Sequence, residues 1–281
     1  MPSRFATFIV SISLFPILAA ATSIQHKTCN ISGDPDVYGP GVRYGFYLQW
    51  AAITLFLFAC PEKANIARTA STLSVLSVYI NTFRNFQKRS VIGIEWALLW
   101  YLTSALLLYN LPVSKKGAQK SGGSLSAMLL IFSMYYMASP YVFFAALEYG
   151  KQPGCDLKVF LFTPISIYAK GFWMTMKVFS MGGAILAGPL FFIGALAALV
   201  GWFRGWGDSE VENYQEPRNI RSVILGTMAI GGGATAIAFT EMTIKINHIT
   251  FPGTSFEDSG QLISLLIGGF TLVSAAFSAM R

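Results

Sequence analysis

Seven stretches of this chain are apolar for about 17–25 residues or more, the length an α-helix needs to cross a bilayer, and no other feature constrains its folding as strongly. They run Tyr44–Cys60, Ala64–Phe83, Val91–Leu111, Leu125–Leu147, Phe172–Phe203, Val223–Ile244 and Gly260–Met280. With lipid as solvent, each backbone donor and acceptor must be satisfied within its own segment, so the runs are expected to be helices. Composition agrees: 54% of the 281 residues are hydrophobic and 12% charged, against about 25% charged in soluble domains. The expected fold is all-α, a polytopic transmembrane bundle of seven spans with short outer loops. The net charge of +7 comes from basic residues scattered between the runs. No stripe of them could track a phosphate backbone, so the expected partner is a bilayer and not nucleic acid.

Residues 1–21 have the three parts of a secretory signal: Arg4, an apolar middle from Phe5 to Leu18, and Ala19-Ala20-Ala21. A retained first helix is the alternative. The expected organisation is therefore a signal at 1–21, an outer amino-end segment at 22–43, and a seven-span domain at 44–281. The amino end would lie outside, in the secretory pathway or plasma membrane. The twenty Lys and Arg residues divide evenly between the two sides of that topology, so the positive-inside rule does not decide orientation.

The amino-end segment holds Cys29 and the sequon Asn30-Ile31-Ser32, a glycosylation candidate. Cys29 and Cys155 fall on the outer side and Cys60 on the inner, which favours a Cys29–Cys155 disulfide in an oxidising compartment. Between the fourth and fifth runs, Glu148–Gly171 mixes lysines with large apolar residues. It is expected to form an interfacial helix or a lid over the outer mouth. The fifth run exceeds one span, so Lys170 and Lys177 are expected to snorkel near its start.

Much chemistry is missing. The two histidines, His26 and His248, stand in different segments, and no zinc-binding spacing, Walker loop or nucleophile elbow is present. The last run has no lysine to hold a retinal. No cofactor, metal or enzymatic activity is expected. Polar groups within the runs are the candidates for function, because lipid penalises them unless they are paired or wetted. Ser71, Ser74, Ser77 and Asn81 recur at 3–4 spacing along the second run. Glu95 and Glu241 are read either as interfacial groups or as the lining of a wet cavity, and Glu241 stands four residues before Lys245. Glycines crowd the fifth and sixth runs (Gly194 with Ala198, Gly231-Gly232-Gly233), which fits close helix packing or, with Pro189, a broken helix.

Two stretches carry a resemblance. One is Cys29, then Gly33-Asp34-Pro35-Asp36-Val37-Tyr38-Gly39, Gly41, Arg43, Gly45 and Tyr47-Leu48-Gln49-Trp50; the other is Glu241-Met242-Thr243-Ile244-Lys245, Asn247, Ile249 and Ser259-Gly260-Gln261-Leu262-Ile263. Together they resemble a group of uncharacterised fungal multi-pass integral membrane proteins, which implies a fungal source and multi-pass topology. Ser264 stands where that group has proline, and Pro40 where it has an apolar residue.

By the same topology Asp34, Asp36, Tyr38, Arg43 and Gln49 converge with Glu241, Asn247 and Gln261 at the outer end of the bundle. They form either a vestibule or a hydrogen-bonded plug that fixes the helix ends. The functional expectation is an oligomeric ion channel with an outer vestibule, its axis lined by the serine stripe of the second run. A seven-span receptor and a small-solute transporter are the alternatives. The channel reading implies a homo-oligomer passing ions or small solutes.

Overall fold

All seven apolar runs are helical in the computed structural model, which describes residues 31–88, 93–112, 115–147, 155–205, 208, 210, 220–252 and 259–280. The short helix α1 (Pro35–Tyr38) leads into α2 (Pro40–Ala59), α3 (Ala64–Gln87), α4 (Gly93–Asn110) and the short α5 (Lys115–Lys120). Next come α6 (Gly122–Tyr141), α7 (Lys170–Gly182) running into α8 (Gly188–Gly205), α9 (Ile220–Ile246) and α10 (Ser259–Met280). Four of these segments are long and apolar enough to cross a membrane: 122–146, 170–205, 223–246 and 260–280; Gly93–Leu107 is apolar but shorter. The exposed faces of α7–α8 and α10 carry bare Val178, Ile185, Leu190, Phe270 and Phe277, as lipid-facing surfaces do. The signal, the sequon residue Asn30 and Cys29 lie outside the described residues.

Successive long helices reverse direction. The starts of α2, α4, α7 and α10 therefore share one end of the bundle with the ends of α3, α6 and α9; we call it the amino-end face. Contacts fix this arrangement: Tyr38 reaches Glu95, the Trp173 indole donates to the Phe143 carbonyl at 3.1 Å, and Gly41 reaches Gln261. At the opposite end the Cys60 thiol lies 3.0 Å from the Ser278 carbonyl.

The tightest helix pair is α2 against α10. Gly41 and Gly45, one turn apart, let the backbone of α10 come into contact. A Cβ on Gly45 would lie 2.6 Å from the carbonyl carbon of Ser264, and one on Gly268 would lie 3.0 Å from the Cα of Gly45. Small residues four apart allow such approach where lipid gives helices no hydrophobic reason to associate. In the glycine-rich runs singled out from sequence the closest neighbours are side chains: a Cβ on Gly183 would lie 2.7 Å from Tyr136, on Gly188 2.8 Å from Met137 and on Gly226 2.9 Å from Phe58, whereas one on Gly194 meets a Leu129 methyl at 3.4 Å and one on Gly231 no atom within 4 Å.

The long 170–205 segment holds 36 residues, roughly 54 Å of helix at about 1.5 Å per residue. It is one helix with a π turn at Gly183–Ala187, just before Pro189; a second π turn, Val142–Ala146, follows Pro140 in α6. A proline lacks the N–H of a regular turn and its ring crowds the turn before it, and the wider π turn at Gly183–Ala187, which holds the residue four before Pro189, accommodates both defects. Serines of α6 bind α8 across the seam, Ser133 donating to the Gly188 carbonyl and Ser126 to that of Ala195, each at 2.8 Å.

The segment expected to be an interfacial helix or a lid forms no helix between Lys158 and Ser166; it is a β-hairpin there. Strand β2 (Lys158–Leu161) pairs antiparallel with β3 (Thr163–Ser166), Leu161 opposite Thr163. Only Phe162 makes the turn, with φ +61°. Of the two remaining strands, β1 (Ile31–Ser32) pairs parallel with β4 (Ile249–Thr250), tying the amino-end segment to the end of α9.

Candidate functional site

Most of the predicted polar residues lie at the amino-end face, where they bond one another or nearby backbone; Gln49 does not join them but sits deeper in α2, donating to Ser74 of α3. Asp34 caps α1, accepting from the Asp36 N–H at 2.8 Å, and its second carboxylate oxygen accepts from Asn85 of α3. Burial raises the Asp34 pKa above the usual carboxylate value, against the lowering effect of those two donors. Asp36 itself is exposed. Tyr38 is fully buried and donates to Glu95 at 3.1 Å; burial first, then the nearby Glu95 charge, pushes its phenol well above the ordinary value. Gln261 bridges two elements, accepting from the Gly41 N–H at 2.6 Å and donating to the Pro35 carbonyl at 2.7 Å.

Glu241 pairs with Arg43 at 2.5 Å, not with Lys245 one turn on, and also accepts from the Tyr47 hydroxyl at 2.8 Å. Arg43 is buried, its side chain 7% exposed against 41% for Glu241, and its Nε has no partner among the described residues. Glu95 and Glu241 thus belong to separate clusters and do not line one wet cavity. Sequence reasoning passes over Tyr47, although its place four residues after Arg43 puts both on one face of α2. Asn85 has no comparable signal.

Asn247 docks the hairpin. Its side chain accepts from the Lys158 N–H at 2.8 Å and donates to the Lys158 carbonyl at 2.5 Å, as a neighbouring strand would; Thr243 accepts from the Phe160 N–H at 3.0 Å. An Asn247→Ala variant leaves the part-buried Lys158 N–H and carbonyl without this partner, a loss of about 1–3 kcal/mol. Amides 158–161 should then exchange with deuterium markedly faster while those of α2 do not; unchanged hairpin protection would refute the docking role.

The stripe on α3 does not form a wet face. Ser71 and Ser74 are buried, Ser71 donating to the Arg68 carbonyl and accepting from Asn110, and Ser74 accepting from Gln49 at 2.7 Å. Ser77 is exposed among Leu73, Leu76 and Ile80, and Asn81 is half-buried. Hydroxyls on α3 therefore serve as interhelical links, with Ser77 facing outward.

What opens beneath the hairpin is apolar. A cavity of about 320 Å³ lies between α4, α6 and α7, walled by Trp96, Trp100, Tyr135, Tyr136, Phe172 and Phe179 and roofed by Val159, Leu161 and Ile167. A second, of about 480 Å³, runs towards α9 and shares Trp100, Tyr101 and Leu161 with the first. The aromatic wall is ordered by its own contacts: Trp96 stacks on Tyr135 at 4.4 Å, and Trp100 stacks on Tyr135 at 5.4 Å and meets Tyr136 edge-on. Trp96 donates to Ser139, Tyr135 to the Trp96 carbonyl and Tyr101 to the Phe160 carbonyl. The polar tips of Trp96, Tyr101 and Tyr135 are thereby taken up within the protein, and the surface the wall presents to the cavity is apolar. None of these cavity aromatics stands out in the sequence as a binding residue, because an aromatic in an apolar run reads as ordinary core until its neighbours are known.

Cys155 is disulfide-bonded and Cys60 is a free thiol. Among the described residues no group of three or more His, Cys, Asp or Glu side chains is placed to hold a metal. No protein-family model, curated protein or solved structure matches the chain.

Proposed function

We propose that this is an integral membrane protein that binds the apolar part of an amphiphile in the aromatic cleft between α4, α6 and α7. The lining carries the reading: a concave space of ligand size, walled by stacked aromatics and bordered by lipid-facing helices. Its polar convergence is a latch in which Glu241 pairs with the buried Arg43, Glu95 accepts from the Tyr38 hydroxyl and the Gln261 amide bonds backbone groups. That use of the charges supports a binding protein over a conduit or an enzyme. In this reading all seven long helices cross the bilayer, the signal precedes them, the amino-end face lies outside, and Cys29 is the partner of Cys155.

Trp96 and Trp100 provide the test. A dibrominated C18 alcohol added to the protein in maltoside micelles should quench tryptophan fluorescence saturably. Ala97→Phe, which fills the cleft from α4, should abolish the saturable part while leaving the melting temperature within a few degrees. Equal, non-saturating quenching of both proteins would remove the proposal.

A homo-oligomeric ion channel is the second reading, favoured by the open face of α9. There Thr227, Gly231 and Thr235 are exposed at four-residue spacing and would admit a second copy's helix. It requires current from purified protein in a planar bilayer and an oligomer by native mass; silence together with a monomer would eliminate it.

A further inference from the structure

One face of α4 lines both cavities. Gly93, Trp96 and Trp100 border the first, and Trp100, Ser104 and Leu107 the second, in an unbroken 3–4 spacing along one side of the helix. Trp100, Tyr101 and Leu161 belong to both walls, so the two spaces meet at these three side chains. From Gly93 to Leu107 the stripe covers roughly 21 Å of helix at about 1.5 Å per residue. That is more than half of a hydrocarbon core of about 30 Å, and half is the depth of one leaflet.

The second cavity suits an apolar chain and not a head group. Opposite α4 it is bounded by Gly232, Thr235, Ala236 and Phe239 of α9, and among the described residues no charged side chain lines it. The Thr235 hydroxyl is spent on the Gly231 carbonyl of its own helix, at 2.8 Å. Gly232 keeps the space open: a Cβ there would meet only the Ala105 methyl, at 4.0 Å. The rim is formed by exposed Thr235 and half-buried Ser104 and Leu107. Since 223–246 is apolar and long enough to cross a membrane, the open side of this groove meets lipid in a bilayer. A chain lying there would be continuous with one in the aromatic cleft.

We propose that the two cavities are one site for a single-chain amphiphile, its head at the level of Gly93 and Phe172 and its tail passing Leu161 to end in the groove between α4 and α9. This rests on the binding role of the cleft proposed above, and the experiment separates the two. Two photoreactive alcohols, C10 and C18, each with a diazirine at the chain end, are irradiated with the protein in maltoside micelles. Labelled residues are mapped by mass spectrometry, with and without excess unlabelled C18 alcohol. The C18 end should label 232–239 or 104–107, the C10 end the residues of α6 and α7 in the first cavity, and the excess alcohol should suppress both. Gly232→Leu and Ser104→Leu fill the groove from opposite sides. Each should cut the C18 label on 232–239 about tenfold, since a tail beside the new side chain overpacks the groove. The C10 label should be unchanged, and the melting temperature should stay within a few degrees of wild type. If the C18 end labels only the first cavity, or its label on 232–239 survives both substitutions, the tail route is wrong and the cleft reading stands. If native mass shows a dimer that either substitution splits into monomers, the groove holds a second copy and the tail route is again wrong. If neither probe labels saturably, both readings fall.

Discussion

Gly45→Leu should leave the protein unable to close its bundle, with most of it aggregated after extraction and the remainder melting far below wild type. Overpacking usually costs about 1–3 kcal/mol because neighbouring side chains move aside. Here the obstacle is the main chain of α10: the Ser264 carbonyl carbon would lie 2.6 Å from the new Cβ. Backbone in the middle of a helix has no rotamer to change, so α2 and α10 must separate and expose the interface between them. The cost belongs at or above the top of that range, a large fraction of a total stability of about 5–15 kcal/mol. Gly269→Leu is the matched control, one residue from the seam and with no atom within 4 Å; it should melt like wild type. Size-exclusion profiles during thermal ramping read both, and a Gly45→Leu protein as stable as Gly269→Leu would show that α2 and α10 are not so close.

Glu241→Ala should be the most damaging change to the latch. It strands the buried Arg43 guanidinium and removes the acceptor of the Tyr47 hydroxyl in one step. Loss of hydrogen bonds to a charged group costs about 1.5–3 kcal/mol. The partial exposure of Glu241 lets water replace some of its contact, so the upper bound for a fully buried pair does not apply. Arg43→Met removes the buried charge together with its need for a partner, and it should restore much of the stability lost in Glu241→Ala. A double-mutant cycle on melting temperature measures that recovery. If the double variant is no more stable than Glu241→Ala, the pair is not coupled and the latch does not depend on it.

The helices are legible in the sequence to within a few residues, since an apolar run in lipid has only one common way to satisfy its backbone. The convergence of Asp34, Tyr38, Arg43, Glu241, Asn247 and Gln261 at one end follows from counting reversals of direction. Their partners do not follow. Glu241 stands one turn from Lys245 and 198 residues along the chain from Arg43, and proximity along the chain favours the wrong cation. Likewise Ser71 and Ser74 share a helix face with Ser77 only approximately; the packing of α2 and α4 against α3 decides which hydroxyls are enclosed.

The hairpin escapes the sequence for a related reason. Lys158–Ser166 is too short and too apolar to distinguish a strand pair from an interfacial helix by composition, and what stabilises it, Thr243 near the end of α9 and Asn247 just after it, stands 83 and 89 residues further along the chain. The cleft is hidden altogether. Its tryptophans and tyrosines lie in runs that read as lipid-facing or core, and a cavity is a property of the gap between helices.

By itself, then, the sequence determined the solvent, the helices and the end of the bundle at which the polar groups collect, because each depends on the local balance of apolar and polar residues. Tertiary structure decided which of those groups pair, that a hairpin covers the face, and that an aromatic cleft is left open. Pairing and cavities arise from approach between segments distant in the chain, which no local pattern encodes.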